Sequence, residues 1–464
     1  MKSKFRIALV AAVAAAGLMA TAGAANFDHC ADQLKDLGLF QGTEQGYELD
    51  RAPTRAEAAT MLVRLLGKED EAKALDYTAP FTDLAGWEKP YVQYLYENGL
   101  TTGVTETTFK PDQGCSAQMY TTFLLRALGY SDAANGDFTY AEAVSFGESV
   151  GLVDYANCDQ DNFLRDHVAA MGLTALDTPV KGDENSILLE KLVKDGAVDA
   201  NKASDLLTFF DRYESYTDAS SKMNDATKMD MTANITADVS MGGTKIMDLT
   251  MPLNMKVDAD LENMDQSKIA MTGTVKINMN ESMVEQGAPA TINQDIAYYY
   301  TDGVYYMNMG GQKFKMDMSV DDVMAQMGDL TGMQSSEPLC LIESIDQSGN
   351  DMTVTYSSSG MNALVNSVLA NMGMDMSSMD VQMKFENVTS KVTISNGDIK
   401  NMNLGMKMSM TVDGQSITMN MTMDCAVNGL GDSVKITLPS DLDTYVDMIG
   451  GTTALIGAVN ESAA

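Results

Sequence analysis

Two histidines, His29 and His167, one tryptophan, Trp87, and five cysteines are all that 464 residues offer of the side chains that most often do chemistry. Two histidines leave a Ser-His-Asp relay or a His-based zinc site almost without material. The cysteines, at 30, 115, 158, 340 and 425, are odd in number and scattered, with neither metal-ligand spacing nor a disulfide framework. A Cys30–Cys115, Cys30–Cys158 or Cys340–Cys425 bridge can be drawn, but small buried thiols are the plainer reading. Basic residues are also short: 31 Lys and Arg stand against 65 Asp and Glu, for a formal net charge of −34. Nucleic acid is excluded as a partner, because neutralising phosphates takes clustered cations. Carboxylates are so common that any pair is chance, and no phosphate loop, nucleophile elbow or metal triad is present. The expectation is a protein that is not an enzyme and carries no cofactor and no catalytic or metal-ligating residue.

What is there begins with an export signal. Lys2, Lys4 and Arg6 precede an apolar stretch from Ile7 to Ala20, and Ala22-Gly23-Ala24 supplies small residues for cleavage. Residues 1–24 are therefore read as a signal peptide. No later stretch reaches membrane-spanning length, so no integral span is expected after cleavage.

A threefold recurrence follows. Gly38-Leu39-Phe40, Gly99-Leu100-Thr101 and Gly151-Leu152-Val153 each end an apolar helical run, and each is followed after a loop by a second run. Thr60-Met61-Leu62-Val63-Arg64-Leu65-Leu66-Gly67 is answered by Thr122-Phe123-Leu124-Leu125-Arg126-Ala127-Leu128-Gly129. A helix–loop–helix of this size cannot bury its own apolar face, so such units stack. Thr54 is placed as an N-cap with Glu57 closing a capping box, and Gly67 and Gly129 as left-handed C-terminal residues.

Composition changes near residue 220: only five of the 38 methionines precede residue 200. The hydrophobic period also switches to two. Met402, Leu404, Met406, Met408, Met410 and Val412 alternate with polar residues, and so do Ile417, Met419, Met421, Met423 and Cys425. That is the pattern of half-buried antiparallel strands. Asp413-Gly414, Asp302-Gly303 and Asn396-Gly397 are hairpin turns between such runs. Two helical insertions, Val320 to Leu330 and Met361 to Met372, are expected to layer against one face.

Taken together, Phe81-Thr82-Asp83-Leu84, Trp87, Pro90-Tyr91, Asn98-Gly99-Leu100, Phe109-Lys110-Pro111-Asp112 and Thr54-Arg55-Ala56-Glu57 resemble the S-layer homology (SLH) domain. The resemblance covers roughly residues 27–177. It implies three repeats, 27–67, 81–130 and 138–177, forming an all-α prism of pseudo-threefold symmetry. It also implies binding of a pyruvylated, peptidoglycan-linked secondary cell-wall polysaccharide, with the motif Arg in the grooves between repeats. A carboxylate-bearing acetal and a planar guanidinium are a natural bidentate match. Carried over residue by residue, the binding set is Arg55 with Thr54, Glu57, Asp83, Trp87 and Arg165. The second repeat departs from the motif, reading Ser116-Ala117-Gln118-Met119. The third keeps only the Arg, in Leu164-Arg165-Asp166-His167. Beside this stand plain roles: Thr54 and Glu57 as helix caps, Arg55 in a surface pair, Trp87 in a core.

The remaining chain divides into a helical linker at 178–225, a methionine-rich antiparallel sheet domain at 226–450 and a tail at 451–464. The fold class is thus multidomain α+β. The sheet domain resembles half-barrel lipoprotein carriers in pattern, which implies a curved sheet and a cradle for lipid or another apolar ligand. Its plain reading is a core in which Met replaces Leu and Val. A third reading takes the Met-x-Met-x-Met runs as soft Cu(I) ligands; without nearby His or paired Cys it ranks last. The whole reads as a secreted protein, held non-covalently at the cell wall or S-layer and displaying its sheet domain. The alternative is a structural envelope component with no small-molecule ligand.

Overall fold

In the computed structural model, residues 27–285, 288–317, 337–362, 382–412 and 415–447 are described. The chain forms two compact units. Of the described residues, one holds 27–214 together with Glu337–Ile345; the other holds those from Ser215 to Ser336 and from Asp346 on.

The first unit is built from helices α1 (Asp28–Asp36), α2 (Arg55–Leu65), α3 (Glu69–Ala74), α4 (Lys89–Glu97), α5 (Ala117–Ala127), α6 (Ala143–Ser149), α7 (Arg165–Asp177) and α8 (Leu188–Lys194). The Thr54 capping box is present: Thr54 Oγ1 accepts from the Glu57 amide at 3.2 Å and Glu57 Oε2 from the Thr54 amide at 2.8 Å. Gly67 takes φ +63°, and a Cβ there would lie 2.6 Å from the Ala197 carbonyl oxygen, so only glycine fits this helix end. The expected helical linker is interrupted by a two-stranded antiparallel ribbon, β1 (Pro179–Val180) and β2 (Asp183–Ile187). Helix α9 (Ala200–Asp225) follows it.

The first amides of a helix have no partners within it, and here a neighbouring loop supplies them. Arg55 and Ala56 donate to the carbonyls of Gln113 (2.7 Å) and Pro111 (3.0 Å), while Arg165 and Asp166 donate to those of Arg51 (2.9 Å) and Leu49 (3.1 Å). This stitching brings Arg55 and Arg165 to two seams between helix–loop–helix segments.

Nine residues from within the expected sheet domain belong to this helical unit. Leu339, Cys340, Leu341 and Ile342 are all buried. Arg212 Nη1 donates to the Ile345 carbonyl at 2.7 Å and Tyr213 Oη to that of Glu337 at 2.8 Å. His29 lies 3.5 Å from the Cys30 sulfur and also hydrogen-bonds the backbone at Cys340 and Ile342. All five cysteines are free, and Cys30, Cys115, Cys340 and Cys425 are buried, as the plainer reading expected.

The second unit is built on a large curved sheet that is antiparallel except at its last, two-residue strand. Its strands are β3 (Lys228–Met241), β4 (Thr244–Asp258), β5 (Lys268–Met279), β6 (Thr291–Thr301), β7 (Val304–Met309), β8 (Gln312–Asp317), β9 (Ile342–Ser348), β10 (Asp351–Tyr356), β11 (Gln382–Ser395), β12 (Asp398–Val412), β13 (Gln415–Leu430) and β14 (Val446–Asp447). Their spatial order is β14-β8-β7-β6-β5-β4-β3-β13-β12-β11-β10-β9. Two sequential meanders, β3 to β8 and β9 to β13, thus meet where β3 pairs with β13, and the short β14 lies parallel beside β8. Asp302-Gly303 and Asn396-Gly397 carry positive φ at both residues, as a two-residue hairpin turn of the primed type requires. Asp413-Gly414 lies outside the described residues, as does the insertion at 320–330. Of the insertion at 361–372, only the helical turn at 358–362 is described.

Register keeps apolar residues opposite apolar residues. Met231 faces Met255, Met271 faces Tyr298, Met423 faces Ile235 and Met408 faces Met419. Burial is uneven along this face. At the β9–β11 end, Met352, Val354, Phe385 and Val392 are buried, and the Tyr216 and Tyr356 hydroxyls meet at 3.1 Å. Across β12, β13 and β4, most methionines remain half-buried. A second buried cluster forms around Met229, Val257 and Ala259, with Met231 and Met255 packed against it, so the face is packed at both places and half-buried between them.

Candidate functional site

Arg55 is 6% exposed. Its guanidinium stacks over Phe109 at 4.6 Å and Phe123 at 5.5 Å from the ring centroids. One hydrogen bond is made, from Nη2 to Thr101 Oγ1 at 3.4 Å, and the buried Nε has no partner. No carboxylate of the described residues lies within ion-pair distance, and burial lowers the pKa of the group below the usual guanidinium range. The expected surface pair is therefore not what Arg55 makes. A guanidinium has five donors in a rigid fork, and desolvating one without an anion costs several kcal/mol. The aromatic faces return only part of that.

The second seam is balanced. Arg51, which the motif did not single out, grips Glu57 with two donors at 2.6 and 2.8 Å and also reaches Glu48 at 3.2 Å. Arg165, 3% exposed, donates from Nε to the Tyr47 carbonyl at 3.0 Å, and its Nη1 lies 3.9 Å from Glu57. Burial would raise the Glu57 carboxyl, but the Arg51 hydrogen bonds and the Thr54 amide outweigh it and hold the pKa low. Glu57 thus closes a helix cap, pairs with Arg51 and lies near Arg165, while Glu48 supplies the second negative charge. Glu57→Ala should cost about 2 kcal/mol, the loss of a cap plus a charged bond. In a thermal melt the helical unit should unfold about 5 °C lower.

In α7 the position of Glu57 is taken by His167, whose Nδ1 accepts the Leu164 amide at 3.0 Å. Burial lowers its pKa, which favours the neutral ring that this acceptor role needs. Asp83 accepts from the amides of Phe109 (2.9 Å) and Lys110 (2.8 Å), holding in place the loop whose Phe109 ring floors Arg55. Trp87 is 59% exposed, so the core reading of this residue is replaced by a free indole surface. Sequence reasoning missed Thr101, Phe123 and Arg51 as parts of the seams; Thr101 stood in the Gly-Leu recurrence and Phe123 in the repeated apolar run, and Arg51 left no signal. No group of three or more His, Cys, Asp or Glu among the described residues could hold a metal. No helix among them is long and apolar enough to cross a membrane.

The chain thus has two parts, a helical unit with two arginine-bearing seams and a methionine-rich sheet. The S-layer homology domain family matches residues 80–116. The chain belongs to the Family of unknown function (DUF6612), which matches residues 211–444. It is 32% identical over 115 residues to the middle cell wall protein of Brevibacillus brevis, covering 24% of this chain and 11% of that protein. To the surface layer protein of Brevibacillus choshinensis it is 32% identical over 107 residues, covering 22% and 10%. The chain thus spans about a tenth of the length of these relatives. It is a cell-surface protein, associated with the cell wall or S-layer. Among solved structures, LprF from Mycobacterium bovis is similar at 9% identity and a TM-score of 0.23, covering 49% of this chain and 97% of that one. At that score the likeness does not bear on the fold.

Proposed function

We propose that the helical unit anchors the protein by binding a pyruvylated secondary cell-wall polysaccharide, with Arg55 as the principal contact. The observation that carries this is the buried guanidinium with no anion of its own among the described residues. A ligand carboxylate entering the seam would satisfy Nε and offset the desolvation cost through charge-assisted bonds. Trp87 offers a sugar ring an apolar face. Arg165, already engaged with Tyr47 and near Glu57, is the weaker second contact, while Thr54, Glu57 and Asp83 hold the two seams in shape. The segments 27–67, 81–130 and 138–177 act as three repeats of one pseudo-threefold prism, with 178–225 leading to the displayed domain at 226–450. The amide stitching at two seams supports that arrangement.

Purified full-length protein should sediment with intact cell-wall sacculi and stay in solution with sacculi stripped of their acidic polymer. Equal retention on both would refute glycan anchoring. For the sheet domain, the half-buried apolar face supports binding of lipid or another apolar ligand. Uptake of a fluorescent fatty acid, displaced by lipid, is the expected result. Ordered self-assembly without uptake would favour the structural alternative.

A further inference from the structure

The sulfur on the sheet is not spread evenly. On the β12–β13 hairpin, the apolar-face positions are Met402, Leu404, Met406, Met408 and Met410 on one strand and Ile417, Met419, Met421, Met423 and Cys425 on the other. Sulfur occupies eight of these ten positions. The register sets Met406 opposite Met421 and Met408 opposite Met419. The next strand, β3, gives those residues no sulfur: Ala237 faces Met421 and Val239 faces Met419. A core or a lipid cradle would need only apolar bulk, which Leu and Ile supply as well. The concentration of thioethers on one hairpin therefore calls for a property that Leu and Ile lack.

That property is a soft lone pair. Directly opposed residues have Cβ atoms about 5 Å apart, and same-face neighbours along a strand are about 7 Å apart. Four methionines at the corners of such a rectangle, each with three flexible torsions, can turn their sulfurs inward to one centre. All four are half-buried, so they are neither locked into a core nor splayed in water. Thioethers select Cu(I) and its soft relatives over hard cations. The strongly acidic chain, at −34, favours the approach of a cation.

We propose that the β12–β13 hairpin binds one monovalent soft cation, Cu(I) or Ag(I), between Met406, Met408, Met419 and Met421. Coordination uses sulfur lone pairs and replaces the ion's water or carrier ligands; no electron or proton is transferred. Register carries the site, and this is what lifts it above the last place that sequence spacing alone gave it. It stands independently of the glycan reading; it shares its face with the apolar-ligand reading but rests on the β12–β13 register.

The test uses full-length protein carrying 13C-methyl methionine, titrated with silver nitrate in chloride-free buffer. Four ε-methyl resonances should shift and saturate at one equivalent, and single Met→Leu variants should assign them to 406, 408, 419 and 421. By competition with a Cu(I) chelator, Met406→Leu/Met408→Leu/Met419→Leu/Met421→Leu should bind at least 30-fold more weakly than wild type. Silence of those four methyls at one equivalent, with the metal taken up by cysteines or other methionines, would overturn the proposal. The wild-type spectrum decides the matter even if the fourfold variant does not fold.

Discussion

Replacing Arg55 by methionine weakens retention on cell walls by roughly 10- to 150-fold and leaves the helical unit at least as heat-stable as before. The first figure is one charge-assisted contact, about 1.5–3 kcal/mol, lost from binding. The second follows from the cost of the buried cation. Arg55 spends its fork on one long bond to Thr101 and leaves Nε unmet, so an apolar side chain of similar length between Phe109 and Phe123 relieves a desolvation penalty. Arg165→Met should behave in the opposite way. It removes a bond to the Tyr47 carbonyl and unbalances Glu57, so it should lower the melting temperature and reduce retention less. Paired melting and sacculus-binding curves on the two variants separate a ligand-holding arginine from a scaffold one. A large stability loss in Arg55→Met with unchanged retention would reverse the assignment.

The second large effect concerns pH. Asp177 ends α7, where its charge opposes the helix dipole. Burial above all, then the nearby Glu214 and Asp211, raises its carboxyl to about 7. Because the folded pKa lies above the unfolded value, the protonated form stabilises the fold. That contribution is complete below about pH 4 and is lost as pH rises through 7. Asp177→Asn keeps the neutral form at every pH. It should therefore melt above wild type at pH 8, by about 2–4 kcal/mol or roughly 5–15 °C. The gap should close steadily toward pH 4. Calorimetry of both proteins from pH 4 to 8 checks this, and a constant gap would show that the carboxyl does not titrate as described. Comparing the two proteins also cancels the buried His29, lowered to about 4 chiefly by desolvation, whose own contribution is lost as pH falls below about 6.5.

What could be read from the sequence was local. The Thr54–Glu57 box, the glycine at 67, the Asp302-Gly303 turn and the alternation in β12 and β13 each depend on residues a few positions apart. The chemistry of the seam does not. Arg55 lies under rings at 109 and 123 and beside a hydroxyl at 101, and those meetings are set by how segments stack. Its motif identified the residue, but only packing shows that it is buried with no anion beside it among the described residues. The same holds for Arg51, whose pairing with Glu57 removes charge from the second seam, and for Leu339 to Leu341. That short apolar run looked like part of the sheet domain and is instead buried among helices. The sheet's alternation predicted its strands but not which meander would end against which.

That last point bears on how the molecule is made. Every strand pairing between β3 and β8, and between β9 and β13, joins neighbours in the chain, and these form early and cheaply. Among the described strands, the long β3–β13 pairing and the two-residue β14–β8 pairing must wait for distant residues. At ribosomal speeds the gap between Met241 and Gln415 lasts roughly 10–35 s. During that interval the growing polypeptide carries a long strand with unmet hydrogen-bond donors and oily side chains. Such a strand invites strangers, and the burden falls on the secretion machinery to keep the nascent edge covered until its mate arrives.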